Sequence, residues 1–113
     1  MPFPFNRGEV YQASFPYEED EAQIKERPIV AWVLRSNGRE VLAGKITGTI
    51  GRSRWEVPLQ PNSQNGLVKP SVVRVDQMRY IPIEDVLFPR GTLNAFELAA
   101  VEEMLKAYID QLV

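Results

Sequence analysis

A continuous apolar run, Pro28-Ile29-Val30-Ala31-Trp32-Val33-Leu34, lies between two polar segments in the first half of the chain. Such a run predicts a central β-strand that is buried on both faces, with proline tolerated at its first position. Ser36-Asn37-Gly38 follows and predicts a hairpin turn with positive φ at both the asparagine and the glycine. The chain then returns as a strand over Glu40 to Thr47, in which Gly44 predicts a bend or a close backbone approach.

Further short strands flank this hairpin. Glu9 to Phe15 suits a first strand, which Pro16 ends. The acidic, polar stretch from Glu18 to Glu26 predicts a loop. Downstream we expect a short strand from Trp55 to Leu59, then one or two strands from Ser71 to Val75 and on towards Ile81. Polar loops at 48–54 and 60–66 separate these strands.

The C-terminal segment has the pattern of a helix. Asn94 and Glu97 have the spacing of a capping box, and Leu93 and Leu98 are placed as a hydrophobic staple. Apolar residues then recur at helical spacing, which predicts a helix from about residue 95 to the end. These apolar residues are Leu98, Val101, Leu105, Tyr108 and Leu112.

Many short strands followed by one helix indicate a mainly β fold. We expect a small, partly open antiparallel barrel with a C-terminal α-helix. The length of 113 residues suits a single domain. Within it, residues 1–7 form an extended head, residues 8–81 form the barrel, and residues 94–113 form the helix.

The composition excludes several kinds of site. The chain contains no cysteine and no histidine, which excludes disulfides, Fe–S clusters and thiolate zinc sites and removes the commonest catalytic base. A carboxylate-only Mg²⁺ or Ca²⁺ site remains formally possible. The net charge of −2 does not suit a protein that coats DNA, although a local basic groove is compatible with it. With no apolar run of membrane-spanning length and no secretory signal pattern, we expect a cytoplasmic protein.

Two polar side chains stand at the same end of the central hairpin. Arg27 directly precedes the apolar strand, and Thr47 ends the strand that returns beside it. Held there by the barrel, a guanidinium and a hydroxyl could form a site that faces the loops. The structural alternatives are a surface ion pair between Arg27 and an acid of 18–26, and a Thr47 that only fills a strand position. Considered one at a time, Arg27 and Thr47 are each better explained by the structural alternative.

Basic residues elsewhere suit a nucleic-acid ligand. Arg52 and Arg54 flank Ser53 in a glycine-containing loop, with Trp55 next, and this combination fits single-stranded nucleic acid. The alternative is a solvated loop with Trp55 in the core, and for Trp55 the core is favoured. Lys69 adds charge at a second loop.

Arg74 and Asp76 lie two residues apart on one strand and therefore share a face. They can form either a structural ion pair or an acid and base at a site.

Taken together, these segments resemble the MazF/PemK family of toxin endoribonucleases. Four stretches, in the family's order and with similar spacing, carry the resemblance. They are Arg7-Gly8-Glu9-Val10-Tyr11, Glu26-Arg27-Pro28-Ile29-Val30, Gly44-Lys45-Ile46-Thr47 and Asn65-Gly66-Leu67-Val68-Lys69-Pro70-Ser71-Val72-Val73-Arg74-Val75-Asp76.

The resemblance implies an SH3-like barrel (CcdB/PemK/MazF-like) and a homodimer whose groove binds single-stranded RNA. It implies a reaction that needs no metal or cofactor, in which the RNA 2′-hydroxyl attacks the neighbouring phosphate and leaves a cyclic phosphate. Arg27 and Thr47 match the family's catalytic arginine and threonine. Arg74 and Asp76 match a pair that serves as acid and base in a PemK-like branch, so both assignments stay open.

The resemblance also implies which residues contact RNA and which protein is the partner. The RNA-binding candidates are Gln23, Lys25, Arg52, Ser53, Arg54 and Lys69. The protein partner would be an acidic antitoxin of the MazE/PemI type. The acidic run Glu18 to Glu21 departs from the family's loop and motivates an alternative, a catalytically inactive binding module on the same fold. Such a module would bind a gyrase-like partner, as CcdB does, or be a phage-borne interaction protein. The third hypothesis is a barrel domain with a purely structural role.

Overall fold

The computed structural model describes residues 5–16 and 24–113, and they form six strands, one short 3-10 turn and one helix. Strand lengths follow the apolar runs of the sequence, and loops follow its polar and glycine-containing segments. In chain order the elements are β1 (Glu9–Pro16), β2 (Ile24–Leu34), β3 (Glu40–Thr47), β4 (Glu56–Leu59), β5 (Ser71–Pro82), the 3-10 turn (Ile83–Asp85), β6 (Val86–Thr92) and α1 (Ala95–Leu112).

The strands form one antiparallel sheet in the order β4-β5-β3-β2-β1-β6. The loop at 60–66, which follows the edge strand β4, reaches the other edge strand, β6. The Thr92 N–H donates to the Gln64 carbonyl at 2.7 Å, and the Arg90 guanidinium donates to the Gly66 carbonyl at 2.9 Å. The sheet therefore curls until its two edges are bridged by a loop. The mainly β, barrel-like fold with a C-terminal helix is confirmed.

Residues 29–32 of β2 are buried on both faces, as the apolar run predicts, whereas Val33 and Leu34 at its end are exposed. Val30 and Trp32 face a cluster that also contains Val101 of the helix. Ile29 and Ala31 alternate with them and face a second cluster on the other side. Besides these two, the second cluster contains Tyr11, Ala13, Phe15, Val41, Ala43, Ile81 and Val86. A strand packed on both faces holds its register firmly, since a slip of one residue would exchange the two clusters.

The turn between β2 and β3 differs from the predicted one. Gly38 has positive φ (72°), but no residue other than glycine does among those described, so Asn37 does not. The Gly38 N–H donates to the Arg35 carbonyl at 2.8 Å, and the Arg35 N–H donates to the Glu40 carbonyl at 2.8 Å. These bonds define a wider loop built around a tight turn, which needs only one left-handed residue.

Gly44 is closely packed, and the groups that approach it are side chains rather than another backbone. A Cβ built on Gly44 would lie 2.8 Å from Met78 Sδ and 3.0 Å from Val30 Cγ1, so neighbouring side chains occupy the space of a side chain. The pairing of β3 with β5 also shifts register between Gly44 and Lys45. After this shift Lys45 pairs with Arg74 and Thr47 pairs with Val72.

Two strand segments were not predicted. The strand β2 begins at Ile24, inside the stretch that the sequence assigned to a loop, because β1 is long enough to pair with it as far as Pro16. The sheet also continues past residue 81, where the sequence analysis ended the barrel, since β6 pairs with β1. Pro89 and Gly91 interrupt the strand pattern of β6, and they are accommodated because β6 is an edge strand with register shifts.

The helix α1 begins as predicted. Asn94 Oδ1 accepts from the Glu97 N–H at 2.8 Å, and Glu97 Oε1 accepts from the Asn94 N–H at 3.0 Å. The other carboxylate oxygen of Glu97 accepts from the amide of Asn65 at 3.1 Å, which ties the loop at 60–66 to the helix. No helix in the described residues is long and apolar enough to cross a bilayer.

Candidate active site

Arg27 and Thr47 lie on neighbouring strands and on the same face of the sheet. Ile29 of β2 pairs with Lys45 of β3, and continuing this antiparallel register by two residues places Arg27 opposite Thr47. Directly opposite residues of an antiparallel pair have Cβ atoms about 5 Å apart and point to the same face. Arg27 is only 8% exposed, so it is not the surface residue of the structural alternative.

The Thr47 hydroxyl is oriented by the chain that follows it. The Thr49 N–H donates to Thr47 Oγ1 at 3.1 Å, which occupies one acceptor position of the hydroxyl. A threonine hydroxyl carries one proton and two lone pairs, so this bond leaves the O–H able to donate. Thr47 is half-buried at the end of β3 and can therefore present a hydrogen-bond donor beside a buried cation.

Arg74 and Asp76 form a fork-shaped ion pair. Arg74 donates from Nε to Asp76 Oδ1 and from Nη2 to Asp76 Oδ2, each at 2.9 Å, and the two side chains are 5% and 17% exposed. Burial by itself raises the pKa of Asp76. The hydrogen bonds and charge of Arg74, together with a bond from Ser53, outweigh that effect and lower the pKa. Asp76 is therefore a fixed anion and a weak base.

Glu56 anchors the basic loop to the same face. Its carboxylate accepts the backbone N–H groups of Gly51 (2.9 Å), Arg52 (2.9 Å) and Ser53 (3.1 Å). Burial favours a higher pKa for Glu56, but these three bonds and the nearby charge of Arg74 lower the pKa overall. Glu56 pairs with Arg74 across β4 and β5, so the loop is attached beside the Arg74–Asp76 pair.

Ser53 makes a second attachment of this loop. Its hydroxyl donates to Asp76 Oδ2 at 3.1 Å and accepts from the Trp55 N–H at 3.0 Å. Arg52 and Arg54, on either side, are exposed. The guanidinium of Arg54 stacks 4.9 Å from the centroid of the Trp55 ring.

Trp55 belongs to the core. It is partly buried against the apolar cluster beneath the helix, and its ring contacts that of Tyr108 edge-on at 5.1 Å. The core alternative for Trp55 is therefore confirmed.

Lys45 is a member of this face that the sequence analysis did not identify. It is 7% exposed and pairs with Ile29 on one side and with Arg74 on the other. Its position two residues before Thr47, in a strand of alternating faces, is the signal that could have found it. Three buried cations thus lie on this face in adjacent strands: Arg27, Lys45 and Arg74.

The remaining predicted residues are dispersed. Lys25 is exposed near the start of β2, and Gln23 lies outside the described residues. The side chain of Lys69 packs against Gly48, as a Cβ built on that glycine would lie only 2.6 Å from Lys69 Cε. There it lines a cavity of about 170 Å³, on the opposite side of the sheet from Arg27. The other lining residues are Pro28, Ile46, Gly48, Leu67, Val68, Ser71 and Arg90.

The chemistry of the face is that of an anion site. Buried cations attract a bound anion strongly because little water screens them. Within residues 5–16 and 24–113, no group of three or more acidic side chains is placed to hold a metal ion. Guanidinium and ammonium groups beside a hydroxyl donor suit a phosphate, whose oxygens accept hydrogen bonds.

Comparisons with known proteins show which solved structures share this fold. The toxin MazF-mt6 of Mycobacterium tuberculosis is 28% identical with a TM-score of 0.72, covering 90% of this chain and 96% of that chain. A mycobacterial endoribonuclease solved in complex with its cognate antitoxin is 17% identical with a TM-score of 0.73, covering 96% of each chain. MazE-MazF from Deinococcus radiodurans is 18% identical with a TM-score of 0.74, covering 96% of this chain and 98% of that chain. The last two show a shared fold.

No protein with a curated description matches the chain in sequence. The model of a protein family, the PemK-like, MazF-like toxin of type II toxin-antitoxin systems, matches residues 6–109. Endoribonuclease activity is a general property of that family. Since the match spans nearly the whole chain, this protein belongs to the PemK-like, MazF-like toxins of type II toxin-antitoxin systems.

Proposed function

We propose that this protein is an endoribonuclease that cleaves single-stranded RNA without a metal ion and acts as the toxin of a toxin–antitoxin pair. The observation that carries the proposal is the pairing of Ile29 with Lys45, which, continued by two residues, sets Arg27 opposite Thr47 on a face with further buried cations. A phosphodiester bound there would meet a guanidinium and a hydroxyl donor together. The RNA supplies its own nucleophile, which suits a chain with no histidine or cysteine.

The reaction follows from these groups. The 2′-oxygen bonds to phosphorus and the bond from phosphorus to the 5′-oxygen breaks, which leaves a 2′,3′-cyclic phosphate and a 5′-hydroxyl. Arg27 donates hydrogen bonds to the phosphate oxygens that gain negative charge, and the Thr47 O–H donates to one of them. Donors fixed in advance where charge develops stabilise the transition state more than the substrate.

Asp76 and Arg74 position the site in this proposal. A carboxylate whose pKa is lowered by a bidentate arginine is a poor proton acceptor, which disfavours Asp76 as the general base. Its bonds instead fix the Arg74 guanidinium and, through Ser53, the basic loop. Arg52, Ser53 and Arg54 contact the RNA backbone from this loop, and Lys25 lies on the strand that carries Arg27. Lys69, on the other side of the sheet, could contact only a more distant part of the RNA.

The test is cleavage of a long single-stranded RNA in EDTA by the purified chain. We expect fragments that end in cyclic phosphate, no cutting where a 2′-deoxy nucleotide precedes the bond, and a loss of at least about 100-fold in rate for Arg27→Ala. Arg39→Ala is the matched control, since Arg39 is exposed in the turn at the far end of the hairpin. Intact RNA, or equal rates for Arg27→Ala and the unchanged chain, would contradict the proposal. RNA bound but never cut would favour the binding-module alternative.

The proposed partners follow from the same face. An acidic antitoxin segment would compete with RNA for Arg27, Lys45 and Arg74 because it presents the same charge as phosphate. A homodimer would join two such faces into one groove, and the proposed site of action is the cytoplasm, where the RNA is.

A further inference from the structure

Lys45 occupies the centre of the cationic face. It lies between Ile29 and Arg74 across the sheet, and Thr47 is two residues further along the same strand. Because cross-strand partners point to one face and alternate residues of a strand do the same, Lys45 shares its face with Arg27, Thr47 and Arg74.

The burial of Lys45 is unusual for a lysine. It is 7% exposed, so little water screens its charge from an anion bound on the same face. A buried Arg74 stands directly across from it, and like charges opposite each other in a sheet repel. Asp76 and Glu56 offset the charge on the Arg74 side. An anion bound on this face would be attracted by Arg27, Lys45 and Arg74 together.

We propose that Lys45 is a further phosphate-binding residue of the site, and that its ammonium contacts a non-bridging oxygen of the scissile phosphate beside Arg27. The proposal rests on the proposed ribonuclease function and adds a residue to it. Lys45 and Arg27 are diagonal neighbours, whose Cβ atoms lie about 7 Å apart. Both side chains are long enough for their charged ends to meet at one phosphate.

The role of Lys45 in the reaction is electrostatic. As the 2′-oxygen bonds to phosphorus, negative charge grows on the non-bridging oxygens, and the ammonium stabilises it without giving up its proton. The proton of the 2′-hydroxyl passes to water, and the departing 5′-oxygen takes one from water. The lysine therefore ends each turnover as it began.

Binding tests this role separately from cleavage. The probe is a single-stranded oligonucleotide with 2′-deoxy nucleotides throughout, which cannot be cut, titrated over a series of KCl concentrations. We expect Lys45→Met to weaken binding and to reduce the slope of log affinity against log salt by about one, since one phosphate contact is lost. Lys45→Arg keeps the positive charge and should therefore give the same slope as the unchanged chain. The control is Lys106→Met on the exposed side of the helix, which should change neither quantity.

Circular dichroism and thermal unfolding establish that each variant folds. If Lys45→Met does not fold, Lys45→Gln takes its place, because it also removes the charge and keeps a polar end. An unchanged salt slope in the folded uncharged variant would overturn the proposal. If the unchanged chain binds the oligonucleotide but cuts no RNA, the proposed function fails, yet the slope still decides the role of Lys45.

Cleavage gives a second readout. We expect Lys45→Met to lower kcat/KM by about 100-fold, as removal of one fixed transition-state donor does. The loss should be equal for a substrate with sulfur in place of the leaving 5′-oxygen, because sulfur needs no proton to depart. Recovery of the rate with the sulfur substrate would contradict the electrostatic role, since it would make Lys45 a proton donor.

Discussion

Asp76 makes the stability of the site depend on pH. It is the buried counter-ion of Arg74 and accepts three side-chain hydrogen bonds. The folded protein holds its pKa below the ordinary value of 3.8. A carboxyl with a depressed pKa contributes stability above its unfolded pKa, and that contribution is lost as pH falls through the folded pKa.

The corresponding prediction concerns Asp76→Asn. At neutral pH this change removes the carboxylate that binds both ends of the buried Arg74 guanidinium, and we expect a loss of about 3 kcal/mol in the free energy of unfolding. Below pH 3.8 the difference between the two proteins should shrink, because the unchanged chain loses the same ion pair. Denaturant unfolding at a series of pH values measures it. Asp110→Asn, exposed on the helix, is the control, and a difference independent of pH would contradict the argument.

Among the elements, the loop between β3 and β4 depends on Glu56 for its conformation. Two carboxylate oxygens accept three backbone N–H groups, and a glutamine has only one oxygen to accept them. We expect Glu56→Gln to speed amide hydrogen exchange at Arg52 and Ser53. In the proposed RNA cleavage, Glu56→Gln should raise KM several-fold and change kcat little, because Arg27 and Thr47 lie on other strands.

The control for the loop is Glu103→Gln on the exposed face of α1. It removes the same charge from the protein without touching a backbone N–H of the loop. If both variants raise KM equally, Glu56 affects RNA binding through the net charge of the protein and not through the backbone of the loop. If Glu56→Gln lowers kcat as much as it raises KM, the loop takes part in the chemistry.

The sequence predicts best the elements that carry a strong local signal. The apolar run of β2 and the capping box of α1 are visible in neighbouring residues, and both are confirmed. The strand β6 is missed because Pro89 weakens its strand pattern and only its place at the sheet edge permits the residue. Lys45 is missed because its burial arises from cross-strand pairing with Ile29 and Arg74. The spacing to Thr47 shows which face Lys45 shares, but its burial depends on strands that are distant in sequence, and a local pattern does not contain that.

The closure of the whole sheet depends on a close approach between β6 and the loop at 60–66. A Cβ on Gly91 would lie 2.1 Å from the Gln64 carbonyl oxygen, which is backbone and cannot move without the loop. We therefore expect Gly91→Ala to lower the free energy of unfolding by about 2 kcal/mol or more, as overpacking does. Gly38→Ala is the matched control, because Gly38 has open space around it and only a positive φ of 72° to strain an alanine. Both are measured by denaturant unfolding, with amide exchange at Thr92 reporting its bond to Gln64. If both variants lose the same free energy of unfolding, this contact does not hold the two edges of the sheet together. The same conclusion follows if the Thr92 amide exchanges as slowly in Gly91→Ala as in the unchanged chain.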